Sequence, residues 1–467
     1  MQQGGASLAI RQPHGERTVR VGVIEATRRA AAPATAVASP VPGAAVRAWD
    51  ALLVCVAVYI ATAIGRVHQL FPVLDFFKPA LLATALTVGL SLLQQHGQRR
   101  IGLLNSTTTT CLLGLVIWGA LSVPFALNQG VAFQFWINFV RTVVMTLVIA
   151  SSIRNARDLS RLMFVYCGTT VLYTGVVLSR FQLGSGDTWR LGRLFYYDAN
   201  DMATLIATAM PFALYFLLGQ RRPIVRGLAV VGLAILAVGM IRSGSRGGFI
   251  ALLAVAIFVL LGFTTVSARA RLMGLVAILA VVFAAASDRY WEQIQTIFNP
   301  QQDYNLTSNE GRIKVWKRGL AYMMDNPVVG VGGQNFAVAE GTISPLARLQ
   351  ERGRGVRWGA AHNTFIQVGA ELGVPGLLLF IGLIATAFRS LRRVTRLAGR
   401  SGPAGTDLSR LAQALTAALI GFVTGSFFLS LAYHDILYTL LAFTLALAKI
   451  AHHADTPGGS RSRRVSI

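Results

Sequence analysis

Long apolar runs alternate with short, arginine-bearing polar segments along most of the chain. The runs lie near 50–65, 76–93, 110–127, 131–150, 162–179, 201–219, 227–241, 247–265, 271–287, 363–388, 411–431 and 433–450. A bilayer core about 30 Å thick takes about 20 apolar residues of helix. Lipid also offers a backbone no hydrogen-bond partner beyond its own helix. The pattern therefore predicts an all-α integral membrane protein with about twelve transmembrane helices. Its largest interruption, Asp288 to Asn363, falls between the ninth and tenth runs and predicts a large helical loop there.

Composition agrees. Hydrophobic residues make up 54% of the 467 and charged residues only 13%, far too apolar for a soluble domain. The formal charge of +24 would suggest nucleic acid in a soluble protein, but here the apolar runs cut it into small clusters, so no nucleic-acid partner is expected. Cys55, Cys111 and Cys167 fall inside predicted spans without metal-ligand spacing, which reads as packing.

Basic residues test the span count. With the N-terminus inside, Arg99 and Arg100, Arg154, Arg157 and Arg161, Arg221, Arg222 and Arg226, Arg269 and Arg271, and the run Arg389 to Arg410 all fall on the cytoplasmic side, as the positive-inside rule asks. The expected organisation is a disordered cytoplasmic tail (1–48) with no apolar core long enough for a cleavable signal. Spans one to nine (49–287), a periplasmic loop (288–361), spans ten to twelve (362–451) and a second cytoplasmic tail (452–467) follow.

The same rule isolates basic residues on the outer side. Arg180, Arg190 and Arg193 share one loop, Arg242 and Arg246 a very short one, and Arg312, Lys314, Lys317, Arg318 and His362 belong to the long segment. They either meet solvent and lipid phosphates or form a basic site at the membrane surface. Ser243-Gly-Ser245-Arg246-Gly-Gly248 reads as a tight re-entry turn whose glycines let backbone N–H groups approach an anion or a neighbouring helix. In the long segment, Thr307-Ser-Asn-Glu310 has capping-box spacing, and Ile313, Trp316, Leu320, Met323 and Met324 recur at helical intervals. They predict an amphipathic helix of about five turns ending before Pro327, with Lys317 and Arg318 at lipid headgroups. Glu371 should face the bundle and pair with an arginine, and Arg141 should face a cavity or a carboxylate.

Three blocks carry a resemblance. Tyr197-Asp-Ala-Asn200-Asp-Met-Ala203, the Ser243–Gly248 turn, and Asn326-Pro-Val-Val-Gly330-Val-Gly332-Gly-Gln-Asn-Phe336 followed by His362-Asn363-Thr-Phe-Ile-Gln-Val-Gly-Ala-Glu371-Leu-Gly373 resemble the signature blocks of the O-antigen ligase and polymerase superfamily. The resemblance implies a GT-C-like bundle and a glycosyltransferase that needs neither metal nor other cofactor. It implies an undecaprenyl-diphosphate-linked glycan donor at the periplasmic face of the bacterial inner membrane. A glycan, a lipid A core or a protein can be the acceptor, and the resemblance does not choose among them.

Residue chemistry fits that expectation. Breaking a glycosyl-diphosphate bond develops negative charge on the leaving group, which arginine forks can meet bidentately. Arg246 and Arg193 are the leading catalytic candidates, followed by Arg190, Arg242 and Arg312 as substrate-binding residues. Asn200 and Ser245 join them from the signature blocks. His362 has the titration range of a general base for the attacking hydroxyl, with Asn363 orienting it or a sugar; alternatively His362 caps the following helix. Glu310, Glu340 and Asp198 are the other candidate bases. The rival reading from another class is a polytopic transporter or flippase of lipid-linked glycans. The late position of the long loop and the lack of repeated halves count against it.

Overall fold

The computed structural model describes residues 49–180, 190–191, 196–219, 222–295, 297, 311–347, 358–399 and 403–455. Residues 1–48 and 456–467, together with the candidates Arg193 and Glu310, lie outside them. Among the described residues the secondary structure is all-helical. Apart from short helical turns, the helices are α1 (Ala51–Ala63), α2 (Pro79–Leu93), α3 (Thr107–Ser122), α4 (Gln129–Ser152), α5 (Ala156–Arg180), α6 (Ala199–Gly219), α7 (Pro223–Ser243) and α8 (Arg246–Gly262). After α9 (Ala268–Ala285) come α10 (Asp288–Gln295), α11 (Arg312–Asp325) and α12 (Phe336–Thr342), then α13 (Thr364–Gly399), α14 (Pro403–Ser426) and α15 (Asp435–Asp455).

Every apolar run falls on one of these helices. Eight, namely α3 to α7 and α13 to α15, are long and apolar enough to cross a membrane, and α1, α2 and α8 are shorter apolar helices. Leu81, Leu93, Ile117, Ile224 and Leu261 stand exposed on helix flanks. Such an apolar exterior suits lipid and would be a liability in water. The interior is packed with aromatics and aliphatics such as Phe212, Phe380, Phe422 and Phe443. Tyr166 is buried there with its hydroxyl 2.7 Å from the Thr208 hydroxyl. The chain is thus a multi-pass membrane protein.

The expected amphipathic helix is α11. It runs from Arg312 to Asp325, so it has about four turns at 3.6 residues each rather than five, and it ends before Pro327 as expected. Thr307 to Glu310 lie outside the described residues. Arg318 does not reach for headgroups: its Nε donates to Glu340 Oε1 at 2.8 Å, and Tyr322 Oη donates to the same oxygen at 2.7 Å. Glu340 is 3% exposed, so this ion pair is internal and fastens α11 to α12.

The glycine-rich stretch after α11 has a backbone explanation. Within α13, Gly373 takes φ +68° and Pro375 has no N–H to give, so the helical bonding is interrupted there. The neighbouring segment completes it. Val331 N donates to Ala370 O at 2.8 Å, Gly332 N donates to Glu371 O at 2.9 Å, and Val374 N turns to Pro327 O at 2.8 Å. Such a close approach leaves no space for a Cβ: one on Gly330 would lie 2.4 Å from the Glu371 carbonyl carbon, and one on Gly373 2.3 Å from Val328 O. Asn335 fastens the segment to the start of α4, accepting from Asn128 N at 2.9 Å and donating to Asn128 O at 3.2 Å.

At the far end of the bundle, basic residues expected at a cytoplasmic surface are partly internal. Asp50 caps α1 and pairs with Arg99 and, at 2.9 Å, with Arg154. Burial opposes its charge, but the Leu53 N–H and the Arg99 guanidinium outweigh that and hold its pKa below the usual carboxylate value. Lys449 donates to the carbonyls of Gln98, Ala150 and Ser151 at 2.8 to 3.0 Å, satisfying carbonyls that α4 leaves open at its C-terminus.

Candidate active site

The Ser243–Arg246 turn is built locally. Gly244 at φ +56° reverses the chain after α7, and Ser245 caps α8 by accepting from Gly248 N at 3.1 Å. Ser243 Oγ donates to Met240 O at 2.6 Å and accepts from Ser245 N at 3.2 Å. A Cβ on Gly248 would lie 2.5 Å from that of Ala203, so the glycine lets α8 close on α6. Arg246 is the first residue of α8, beside the positive end of its dipole.

Arg190 ties the turn to the next block. Its Nε donates to Ser243 O and its Nη2 to Asn200 Oδ1, both at 2.8 Å, and Leu191 N donates to Arg242 O at 2.8 Å. Asp198 Oδ1 caps α6 by accepting from Asn200 N at 2.7 Å and Asp201 N at 2.8 Å. Burial lowers the pKa of Arg190, with Asp198 opposing that shift and the like charge of Arg246 adding to it. A half-buried guanidinium repelled by a second one favours an incoming anion.

His362 reaches this region through a segment that carried no signal in the sequence. It takes φ +50°, its N donates to Ser430 Oγ at 2.9 Å, and its carbonyl accepts from Trp316 Nε1 at 3.3 Å. Asn363 Oδ1 is engaged in capping α13, accepting from Phe365 N at 2.9 Å and Ile366 N at 3.0 Å. Thr364 Oγ1 donates to Leu429 O at 2.8 Å and accepts from Leu431 N at 3.0 Å. The turn from Phe427 to His434 is therefore pinned to the start of α13. Its other side meets the signature blocks: a Cβ on Gly247 would lie 3.1 Å from the Phe428 ring. The His434 ring centre lies 5.7 and 5.6 Å from those of Tyr196 and Tyr197.

Arg66, another residue that drew no attention in the sequence, closes the ring. Its guanidinium lies 3.6 Å from the centre of the Tyr196 ring and 3.9 Å from Asp435. Tyr197 Oη donates to Ile64 O at 3.0 Å. With the N-terminus expected inside, Arg66 would follow the first outward span and so carries the same against-the-rule signal as Arg190.

The structure thus brings together Arg190, Asn200, Arg242, Ser245 and Arg246, and connects them through the 427–435 turn to His362 and Asn363. Asn200 and Ser245 hold the turn rather than presenting free side chains. Arg312 sits one helical turn before Trp316, whose indole holds the His362 carbonyl. Glu340, weighed as a base, is committed to Arg318 and Tyr322. Glu371 is buried, as expected, but its polar neighbours are Gln334, Phe336, Tyr433 and Gln367 rather than an arginine. Arg141 is exposed on α4, within electrostatic range of Tyr59.

The structure is thus a helical membrane bundle in which arginines and a histidine are linked through one turn. Two comparisons bear on its family. Residues 231–381 match the family model described as O-antigen ligase, a region holding the re-entry turn, the glycine-rich segment and the His362–Gly373 block. The chain is also 36% identical over 121 residues to the exopolysaccharide production protein ExoQ of Rhizobium meliloti (strain 1021), covering 26% of this chain and 25% of that protein. The chain thus spans about a quarter of the length of the curated relative it matches. The two findings support the O-antigen ligase/polymerase family for this chain.

Proposed function

We propose that this protein is a bacterial inner-membrane glycosyltransferase that uses an undecaprenyl-diphosphate-linked glycan as donor. In this reading about twelve helices cross the membrane, both termini are cytoplasmic, and the site opens to the periplasm. The observation that carries it is Arg190, which bridges Ser243 and Asn200 and so holds two family blocks around Arg246 at a helix N-terminus.

The chemistry follows from charge. An acceptor hydroxyl attacks the anomeric carbon of the donor and gives its proton to the His362 imidazole. The bond from that carbon to the diphosphate oxygen breaks, and its electron pair leaves with the polyprenyl diphosphate. Arg246, Arg190 and the N–H groups opening α8 balance the charge that develops there, so the arginines fill the role a metal has elsewhere. Arg242 extends the basic surface, and Arg312 stands near the acceptor side. The name of the relative ties that protein to exopolysaccharide production, which favours a glycan acceptor and polymerisation. Lipid A core is the other acceptor to test.

The test mixes purified protein in nanodiscs with a polyprenyl-diphosphate-linked oligosaccharide and each candidate acceptor. Extended acceptor with equimolar polyprenyl diphosphate is the expected product. Passage of the lipid-linked glycan across proteoliposomes with no glycan transferred would replace this reading by a flippase.

A further inference from the structure

At the end of the bundle away from Arg246 and His362, α8, α13 and α14 enclose a cavity of about 620 Å³. Phe258 and Phe388 supply apolar wall, while Arg392, Arg396, Gln413 and Thr416 also line it. Arg392 and Arg396 are four residues apart on α13, so they project from the same helix face one turn apart. Gln413 is not a free ligand: its Oε1 accepts from Thr265 Oγ1 at 2.8 Å and its Nε2 donates to Thr264 Oγ1 at 3.0 Å. It fixes the loop after α8 to α14 and so sets the wall. Among the described residues that line the cavity, none is acidic.

We propose that this cavity binds one anionic glycerophospholipid of the adjoining leaflet, its phosphate between Arg392 and Arg396 and the start of its acyl chains against Phe258 and Phe388. Three features point to a lipid. The arginine pair offers planar forks for phosphate oxygens. Aromatic rings flank the charges, where a free phosphate has nothing to gain. And the part of α13 beyond its interruption at Gly373 runs from Val374 to Gly399, about 39 Å at about 1.5 Å per residue, against a hydrocarbon core of about 30 Å. Its arginine-bearing end therefore reaches headgroup depth, where basic pockets between helices take acidic lipids. The site is separate from the glycosyl-transfer reading and stands without it.

The test reconstitutes the full chain in phosphatidylcholine nanodiscs containing phosphatidylglycerol, extracts it into mild detergent, and measures retained phosphatidylglycerol by native mass spectrometry. Wild type retains it. The double variant Arg392→Ala/Arg396→Ala loses it, and so does Thr416→Phe, which fills the cavity with no change of charge. Arg389→Ala/Arg393→Ala, an equal charge change at arginines of α13 that do not line the cavity, retains it, and excess sodium phosphate does not displace it. Equal loss from both arginine pairs would mean a general basic surface and overturn the proposal. Retention by both cavity variants would overturn it as well, and displacement by inorganic phosphate would assign the site to a free anion instead.

Discussion

Arg190 Nη2 donates to Asn200 Oδ1 at 2.8 Å while its Nε holds the Ser243 carbonyl at the same distance. One planar side chain thereby sets the re-entry turn against the start of α6. Lysine replaces that rigid planar fork with a compact point charge on a flexible stem, so it does not reproduce the paired geometry. Arg190→Lys should fold and reach the membrane yet transfer glycan about 10- to 100-fold more slowly, matching the loss of a charge-assisted bond of about 1.5–3 kcal/mol. Turnover of purified protein with a labelled lipid-linked donor checks this; an unchanged rate would leave Arg190 a bystander.

The kink of α13 predicts a stability difference among glycines. Gly373→Ala would force a side chain into φ +68° and against Val328 O, at a cost of about 1–3 kcal/mol. Gly89→Ala, in open space on α2, should be neutral or slightly stabilising, since alanine is the better helix former. Thermal unfolding in detergent should show a lower midpoint for Gly373→Ala alone.

Glu340 is buried with Arg318 and Tyr322. Removing only one charge strands the other, which costs about 3–5 kcal/mol for a buried pair. Glu340→Ala should therefore unfold more readily than the double variant Glu340→Leu/Arg318→Met. A greater loss in the double variant would contradict an internal pair.

Histidine 434 gives the chain a signed pH dependence. It follows Tyr433 in the turn before α15, and its Nδ1 accepts from Ile436 N at 3.2 Å. Burial first, and the Arg66 charge second, lower its pKa from 6.5 to about 3. The unfolded chain therefore takes up this proton before the folded one as pH falls. Stability should decline from about pH 6.5 towards pH 3 and be insensitive to this group above that range. His434→Asn should flatten the decline, as read from unfolding midpoints at stepped pH; an identical slope in the variant would place the sensitivity elsewhere.

Much of the fold was legible because lipid leaves an apolar run few options other than a helix. The re-entry turn was legible too, since Gly244 and Ser245 carry backbone and capping signals that act over a few residues. Residue type alone did not separate a helix cap from a substrate contact: Asn363 and Ser245 belong to the residue types that cap helices, and both side-chain oxygens accept from the helix that follows. What stayed hidden depends on packing between distant segments. Nothing near Ser430 announces that its hydroxyl receives the His362 N–H, and nothing near Glu340 announces Arg318. The glycines at 330, 332 and 373 allow two backbones to meet where Pro375 breaks the bonding of α13, a contact between segments that neither stretch shows alone.

The central claim, that Arg246 meets the leaving diphosphate while His362 takes the acceptor proton, is tested most directly by separating donor binding from transfer. Wild type, Arg246→Ala and His362→Ala in nanodiscs are compared for affinity towards the lipid-linked donor and for single-turnover transfer to the acceptor. The account predicts that Arg246→Ala weakens donor binding and slows transfer by about 10²–10³-fold. His362→Ala should bind donor as wild type does and slow transfer by about 10²–10⁴-fold. Transfer at the wild-type rate by either folded variant would contradict the role given to that residue.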